Sequence, residues 1–333
     1  MKHGDLVSKM TLEEKCALLA GKDVWHTRDI PRLNIPAITL SDGPSGLRKQ
    51  AGEGDHLGLN ASTKATCIPS AATLACSWDA AVSEAMGAVV GRDAANQGVD
   101  VLLAPGLNTK RSSLCGRSFE YYSEDPYLSG KLAAGFIRGA QKQGVSACAK
   151  HYAANAQELL RMHSDSVMDE RTLREMYLTN FEIAIKEGKP GFVMTAYNRV
   201  NGVYANENRH LLGDILRGEW GFDGAVVTDW GGSNSIVEGA REGMNLEMPA
   251  AGDDSPCQLV KAVKDGTIDE KIVDERVDQL LDFVLAEHKS GESSFDAAKQ
   301  HQAAEAAAEK CLVLLKNDEH LLPLKKDARV AVI

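Results

Sequence analysis

The sequence predicts an α/β fold, a TIM-like (β/α)8 barrel of parallel strands, and three observations carry that prediction. Short apolar runs alternate with helical patterns for most of the chain, with no block of strands alone. Several runs end on polar or charged residues. The clearest is Ala225-Val226-Val227-Thr228-Asp229-Trp230, after which Gly231-Gly232 turns the chain. In parallel α/β sheets, that C-terminal strand edge is where active sites are built. A length of 333 residues allows one large barrel or two modest domains.

The elements follow in order. Thr11-Leu12-Glu13-Glu14 is a capping-box pattern opening a helix to about Ala20. Ile35 to Leu40 reads as a strand ending at Ser41-Asp42-Gly43-Pro44. Asp79 caps a long helix to about Gln97, and the apolar strand from Val99 to Ala104 follows. Tyr127 to Gln143 is helical, and Ser146 to Ala149 is a short strand ending on Lys150-His151. Asp169 starts a helix reaching Lys186, punctuated by Gly188 and Pro190. Gly191 to Thr195 is a strand, Leu211 to Trp220 a helix, Ala225 to Thr228 a buried strand, and Met244 to Met248 the last strand. Helices are sparse between Thr11 and Asp79, so the barrel is expected to be shortened or incomplete there.

The pattern fades after about residue 290, and the expected organisation is a barrel over 1–290 and a second unit over 291–333. Lys289 to Ser294 reads as a linker and Ala297 to Lys316 as a helix. Ala328 to Ile333 reads as a strand just begun. A strand cut there would leave an open edge, so more chain is expected to follow.

Composition narrows the function classes. The chain is 44% apolar and 25% charged, ordinary for a globular protein. A net charge of −10 with no basic run argues against a nucleic-acid partner. No apolar stretch approaches a membrane span, and the first residues lack a signal-peptide core. Seven cysteines, an odd number without metal-type pairing, read as reduced thiols in a cytoplasmic protein. His163, His210 and His288 lack the paired spacing of a zinc site, so no metal and no cofactor is expected.

The candidate chemistry sits at strand ends. Asp229 can serve as nucleophile or base, and the neighbouring Trp230 can stack on a sugar ring. Asp42, Arg117, Lys150, His151, Arg161, Met194 and Tyr197 occupy the other strand ends and the loops after them. Together they offer a carboxylate acceptor, three cations, an imidazole and a phenol to a ligand dense in hydroxyls. Each has a plainer alternative. Asp42 suits an Asx turn before Gly43, and Arg117 can pair with Glu120 or Asp125. His151 can be a satisfied core histidine, Tyr197 packing, and Asp229 a helix cap. Lys150 could also be a Schiff-base lysine.

Five segments taken together resemble the N-terminal barrel of glycoside hydrolase family 3, in its β-glucosidase branch. They are Ser41-Asp42-Gly43-Pro44, Gly116-Arg117-Ser118-Phe119-Glu120, Lys150-His151-Tyr152 through Gln157-Glu158, Met194-Thr195-Ala196-Tyr197-Asn198, and Val227-Thr228-Asp229-Trp230. Their order and spacing match over about residues 5–290. Leu314 to Asn317 and Leu322 to Leu324 resemble the family's linker into a second, α/β sandwich domain.

The resemblance implies retaining hydrolysis of β-glucosides or short β-linked gluco-oligosaccharides, with Asp229 as the nucleophile that forms a glycosyl-enzyme. A double displacement needs that carboxylate about 5–5.5 Å from a second carboxyl acting as acid, then base. Asp229 must be ionised, so Lys150 and Arg161 are expected to hold its pKa down. Asp42, Arg117, Lys150, His151 and Arg161 match positions that grip hydroxyls of the non-reducing glucose. Tyr197 matches a residue beside the nucleophile, and Trp230 one bordering the leaving-group side. In this branch the acid/base is a Glu of the second domain, so the rest of that protein is the implied partner. No residue here takes the role; Glu120, Glu124, Glu158, Glu170 and Glu247 suit structural or capping positions better.

Within the family, the N-acetylglucosaminidase loop Lys-His-Phe-Pro-Gly-His is replaced here by Lys150-His151-Tyr152-Ala153-Ala154-Asn155, without its dyad. Arg161 favours glucosidases over xylosidases and arabinosidases. The competing classes are a non-catalytic carbohydrate-binding barrel and a Schiff-base enzyme using Lys150.

Overall fold

The computed structural model describes residues 1–52, 54–55, 59–286 and 295–332. The expected linker, His288 and Ile333 lie outside the described residues. Five parallel strands form the main sheet, in the spatial order of the chain. They are β1 (Leu40–Asp42), β2 (Val101–Leu103), β3 (Ser146–Tyr152), β4 (Phe192–Thr195) and β5 (Ala225–Val227). Parallel neighbours need a crossover, and helices supply each one. After α1 (Leu12–Leu18), α2 (Ala80–Asn96) lies between β1 and β2, and α3 (Pro126–Gln141) between β2 and β3. A helical run over 170–188 separates β3 from β4, and His210–Glu219 separates β4 from β5. Ile236–Glu242, Asp254–Lys264 and Glu270–Val284 complete the barrel's helices, and Ala297–Cys311 packs back against α2.

Backbone pairing continues past β5. Leu246 N–H donates to Val226 O (3.1 Å), Glu247 N–H to Leu19 O (2.9 Å), and Gly21 N–H to Glu247 O (3.0 Å). Lys22 N–H then donates to His26 O (2.8 Å), and Leu40 N–H to Trp25 O (2.8 Å), which returns the pairing to β1. Three short segments thus carry the pairing from β5 round to β1. The one around Trp25–Thr27 runs antiparallel to its neighbours, and no helix separates it from the segment at 19–22. This is the irregular stretch that the sparse helices between Thr11 and Asp79 foretold, and the fold is TIM-barrel-like.

Alternate residues of the strands face opposite sides. Leu40, Val101, Leu103, Cys148, Phe192, Met194, Ala225 and Val227 share one apolar cluster with Leu246 and Met248. Leu102, Ala147, Ala149, Val193 and Val226 pack the other way, against α2 and α3. Both faces are therefore buried, which is why the strands read as unbroken apolar runs. The same alternation sets Lys150 two residues beyond Cys148, and Asp229 two beyond Val227.

Several local expectations hold. Thr11 and Glu14 form the reciprocal capping box, and Asp79 Oδ1 accepts from Ala81 N–H at 2.8 Å. Others are corrected. The first strand begins at Leu40: Ile35 is spent on a turn contact, its N–H donating to Ile30 O, and Ile38 and Thr39 pair with the irregular segment at 26–27. Met244 to Met248 makes only isolated bridges. The helix that ends near Gly188 is stopped by Lys189 in the left-handed region (φ 52°), not by the glycine. The last helix stops at Cys311 instead of Lys316. Residues 328–332 form no strand and are exposed; no neighbouring strand is there to pair with them among the described residues.

α2 and α3 cross closely through glycines. A Cβ on Gly139 would stand 1.9 Å from Glu84 O, and one on Gly87 would stand 2.1 Å from Phe136 O. Backbone cannot retreat as a side-chain tip can. Gly139→Ala is therefore expected to destabilise the chain by at least about 1–3 kcal/mol, the usual cost of overpacking. A urea midpoint equal to that of the unmodified chain contradicts this packing.

Candidate active site

A cavity of about 140 Å³ opens at the C-terminal strand edge. All nine residues singled out in the sequence line it: Asp42, Arg117, Lys150, His151, Arg161, Met194, Tyr197, Asp229 and Trp230. Trp25, Arg48 and Leu103 line it too and were missed. Arg48 had a signal, since it follows Asp42 in the same loop. Trp25 had none, because its place depends on the irregular hairpin that pairs with residues 38–40.

Asp42 ends β1 between two cations. Lys150 Nζ lies 2.5 Å from its Oδ1, and an Arg48 terminal nitrogen lies 3.0 Å from Oδ2. Burial pushes its carboxyl up, but Lys150 and then Arg48 overcome that and hold it well below the usual range. An ion-paired ammonium suits hydroxyl binding, not the free amine that imine formation requires.

Arg117 reaches the cavity from the loop after β2, with each guanidinium nitrogen on a different partner. Nε pairs with the buried Glu120, one terminal nitrogen donates to His151 Nε2 (2.8 Å), and the other stands 3.9 Å from Asp229 Oδ2. Arginine cannot accept, so His151 Nε2 must be the acceptor and carry no proton. The ring proton then sits on Nδ1, which lies 3.2 Å from the Tyr121 hydroxyl. Burial, then Arg117, Lys150 and Arg161, push His151 far below the usual imidazole range, in agreement with a neutral ring. Its backbone is pinned by Asn108, whose Oδ1 accepts from His151 N–H (2.9 Å) and whose Nδ2 donates to His151 O (2.8 Å).

Arg161 is held from two sides. One terminal nitrogen donates to Glu158 Oε2 (2.8 Å), and the guanidinium lies 4.6 Å from the centre of the Tyr197 ring. Tyr197 donates its hydroxyl to Trp230 O at 2.8 Å. The Trp230 indole donates to Val24 O (2.7 Å) and tilts against Trp25 with centroids 5.2 Å apart. The two indoles give one edge of the cavity an aromatic wall.

Asp229 is 8% exposed, and its two oxygens differ. Oδ1 accepts from Trp230 N–H at 2.8 Å, whereas the buried Oδ2 has no hydrogen-bond donor. With a neutral His151 lacking a proton on Nε2, the 3.5 Å approach of that nitrogen to Oδ2 is a contact without a hydrogen bond. Burial raises the Asp229 pKa above the ordinary value; Arg117 and Lys150 oppose this, followed by Trp230 N–H and Tyr197. The sequence expectation is thus corrected. The net shift is upward, and Arg117, not Arg161, is the leading opposing cation.

A carboxyl with a raised folded-state pKa contributes stability that is present below the unfolded value and lost as pH rises through the folded one. At neutral pH the charge of Asp229 therefore costs stability, and Asp229→Asn is expected to raise Tm by a few degrees. The gain shrinks as pH falls toward about 4, the unperturbed carboxyl range. Thermal melts across pH check this; an unchanged or lower Tm at neutral pH contradicts the burial argument.

Among the described residues no group of three or more His, Cys, Asp or Glu side chains could hold a metal ion, and no helix is long and apolar enough to cross a membrane. All seven cysteines are free.

Fold and cavity together define an α/β barrel domain with a polar pocket built around a buried carboxylate. The chain belongs to glycosyl hydrolase family 3: residues 32–283 match the model of the family's N-terminal domain. It is 49% identical over 330 residues to the thermostable β-glucosidase B of Acetivibrio thermocellus, covering 98% of this chain and 44% of the relative. It is 42% identical over 325 residues to an exo-α-(1→6)-L-arabinopyranosidase of Bifidobacterium longum, covering 96% of this chain and 42% of the relative. The solved structure of β-glucosidase 3B from Thermotoga neapolitana in complex with α-D-glucose superposes with a TM-score of 0.90 at 39% identity, covering 98% of this chain and 48% of that one. The chain thus spans about half the length of the relatives it matches.

Proposed function

We propose that this chain is the nucleophile-bearing domain of a retaining glycoside hydrolase acting on terminal non-reducing β-D-glucosyl residues. One observation carries the reading: a buried carboxylate oxygen, Asp229 Oδ2, has no donor and lies in a cavity ringed by cations, hydroxyl-binding groups and tryptophans. Trp230 N–H holds Oδ1 in place, so Oδ2 attacks the anomeric carbon. As that bond forms, the glycosidic C–O bond breaks and its electron pair leaves with the aglycone. Water then attacks the same carbon, releasing Asp229 and restoring the β configuration. Asp42, Lys150, Arg117, His151 and Arg161 grip the sugar hydroxyls through charge-assisted hydrogen bonds, which orient the anomeric carbon. Met194 and Tyr197 line the pocket near the nucleophile, and Trp230 with Trp25 borders the leaving group.

The proton donor lies outside these residues on this reading. Asp42, the only other carboxylate lining the cavity among the described residues, is held ionised by two cations and has no proton to give at neutral pH. Residues 1–290 form the barrel and 291–333 lead into a second unit that supplies the acid/base Glu.

The test is mass spectrometry after incubation with a dinitrophenyl 2-deoxy-2-fluoro-β-glucoside, whose leaving group needs little acid help. The expected result is one glycosyl adduct, on the peptide containing Asp229. Absence of that adduct, with sugar binding retained, would favour a carbohydrate-binding barrel. The arabinopyranosidase relatives support a second reading, a pentopyranosidase of the same family (an arabinosidase or β-xylosidase). Relative kcat/KM on nitrophenyl β-glucoside, β-xyloside and α-L-arabinopyranoside separates the two.

A further inference from the structure

We propose that Glu120 is a positioning residue whose carboxylate keeps the Arg117 guanidinium from hydrogen-bonding to the nucleophile; this rests on the reading of Asp229 as that nucleophile. Glu120 is 4% exposed, too deep to be a casual loop partner, and it takes Arg117 Nε. With Nε committed there and one terminal nitrogen on His151, the remaining terminal nitrogen is stopped 3.9 Å from Asp229 Oδ2, beyond hydrogen-bond range. Among the described partners of Arg117, Asp229 is the only other carboxylate. A buried guanidinium relieved of Glu120 has every reason to close that gap, since a direct Arg–carboxylate pair is the strongest contact open to both. Closing it would give Oδ2 the donor it now lacks and bind the lone pair needed for attack. Glu120 thus leaves Arg117 near enough to favour the ionised nucleophile without masking it.

Among the described residues, the other charged or titratable groups around Asp229 are Cys148, Lys150 and His151 on β3, Arg161 from the loop after it, Tyr197 after β4, Asp42 and Arg48 at β1, and Tyr121 behind His151. None of the other cations is tied down by a buried carboxylate as Arg117 is. Lys150 pairs with the partly exposed Asp42, and Arg161 with the half-buried Glu158.

The experiment follows the rate of inactivation by the dinitrophenyl 2-fluoroglucoside against pH, for the unmodified chain, Glu120→Gln and Glu120→Asp. The step joins Asp229 Oδ2 to the anomeric carbon and expels dinitrophenolate with its electron pair, so it reports the nucleophile alone. In Glu120→Gln the acid limb is expected to move down by about one pH unit or more, as for a carboxylate that gains a direct cation. The plateau rate is expected to fall about tenfold, because a more stabilised base is a weaker one. Glu120→Asp keeps the charge and should keep the limb where it is. A merely structural role would lower the plateau in proportion to folded protein and leave the limb in place. A folded Glu120→Gln with an unshifted or raised limb overturns the proposal. If circular dichroism shows Glu120→Gln unfolded, a downward shift in Glu120→Asp overturns it instead. No labelling of the unmodified chain removes the nucleophile assignment itself, a result distinct from either shift.

Discussion

Asp229→Asn is expected to abolish turnover, lowering kcat on nitrophenyl β-glucosides by about 10⁴-fold or more, on the scale seen when a covalent nucleophile is removed. The amide fits the same space and can still take the Trp230 N–H bond through its oxygen, so the pocket keeps its shape. Binding of glucose, followed by calorimetry, should change little. With Oδ2 replaced by an amide nitrogen, whose lone pair is delocalised into the carbonyl, no competent nucleophile faces the anomeric carbon. The fluoroglucoside adduct should disappear in parallel. Since this variant is also expected to be the more stable one at neutral pH, a loss of rate cannot be blamed on unfolding. Residual turnover within tenfold of the unmodified chain would rule Asp229 out as nucleophile.

Lys150→Met should cost the most stability of any change in the cavity and should weaken sugar binding as well. Lys150 is 3% exposed, and removing it strands Asp42 with Arg48 alone. Breaking a fully buried pair costs about 3–5 kcal/mol. The Asp42 side chain keeps 24% of its surface in solvent, so about 2–3 kcal/mol is the better expectation here. The pH dependence has a definite sign. Asp42 has a depressed folded-state pKa, so its contribution is present above the unfolded value of about 3.9 and is lost as pH falls through the folded one. The difference in urea midpoint between Lys150→Met and the unmodified chain should therefore be largest near neutrality and narrow in acid. A constant difference across that range would mean that the loss is packing, not charge. On the functional side KM should rise more than kcat falls, since Lys150 faces the sugar and not the breaking bond.

Much of this domain was legible because parallel barrels write their geometry into local patterns. Strands buried on both faces become apolar runs, and a run that ends abruptly on Asp229 or on Lys150-His151 marks where the sheet meets the cavity. Caps such as Thr11 with Glu14, and Asp79, are satisfied within one helical turn, so their signals need no tertiary context. Asp254–Lys264 and Glu270–Val284 are helices that the strand-by-strand pattern does not place, although both carry apolar stripes. The strand placed at 35–40 slid to Leu40, since an apolar run says nothing about which residues find a partner.

The amino-acid sequence alone determined which residues stand at the strand ends and in what order, because a side chain's type and its offset from an apolar run are local properties. All nine of those residues meet in one cavity. What only the tertiary structure decided is how they share protons and charge. That Asp42 and Lys150, 108 residues apart, are a pair, that Arg117 is divided among Glu120, His151 and Asp229, and that His151 is neutral all depend on distances set by the register of the sheet. The same holds for the upward shift of Asp229 and its lone bare oxygen. Burial and long-range charge are properties of the assembled barrel, and no window of sequence contains them.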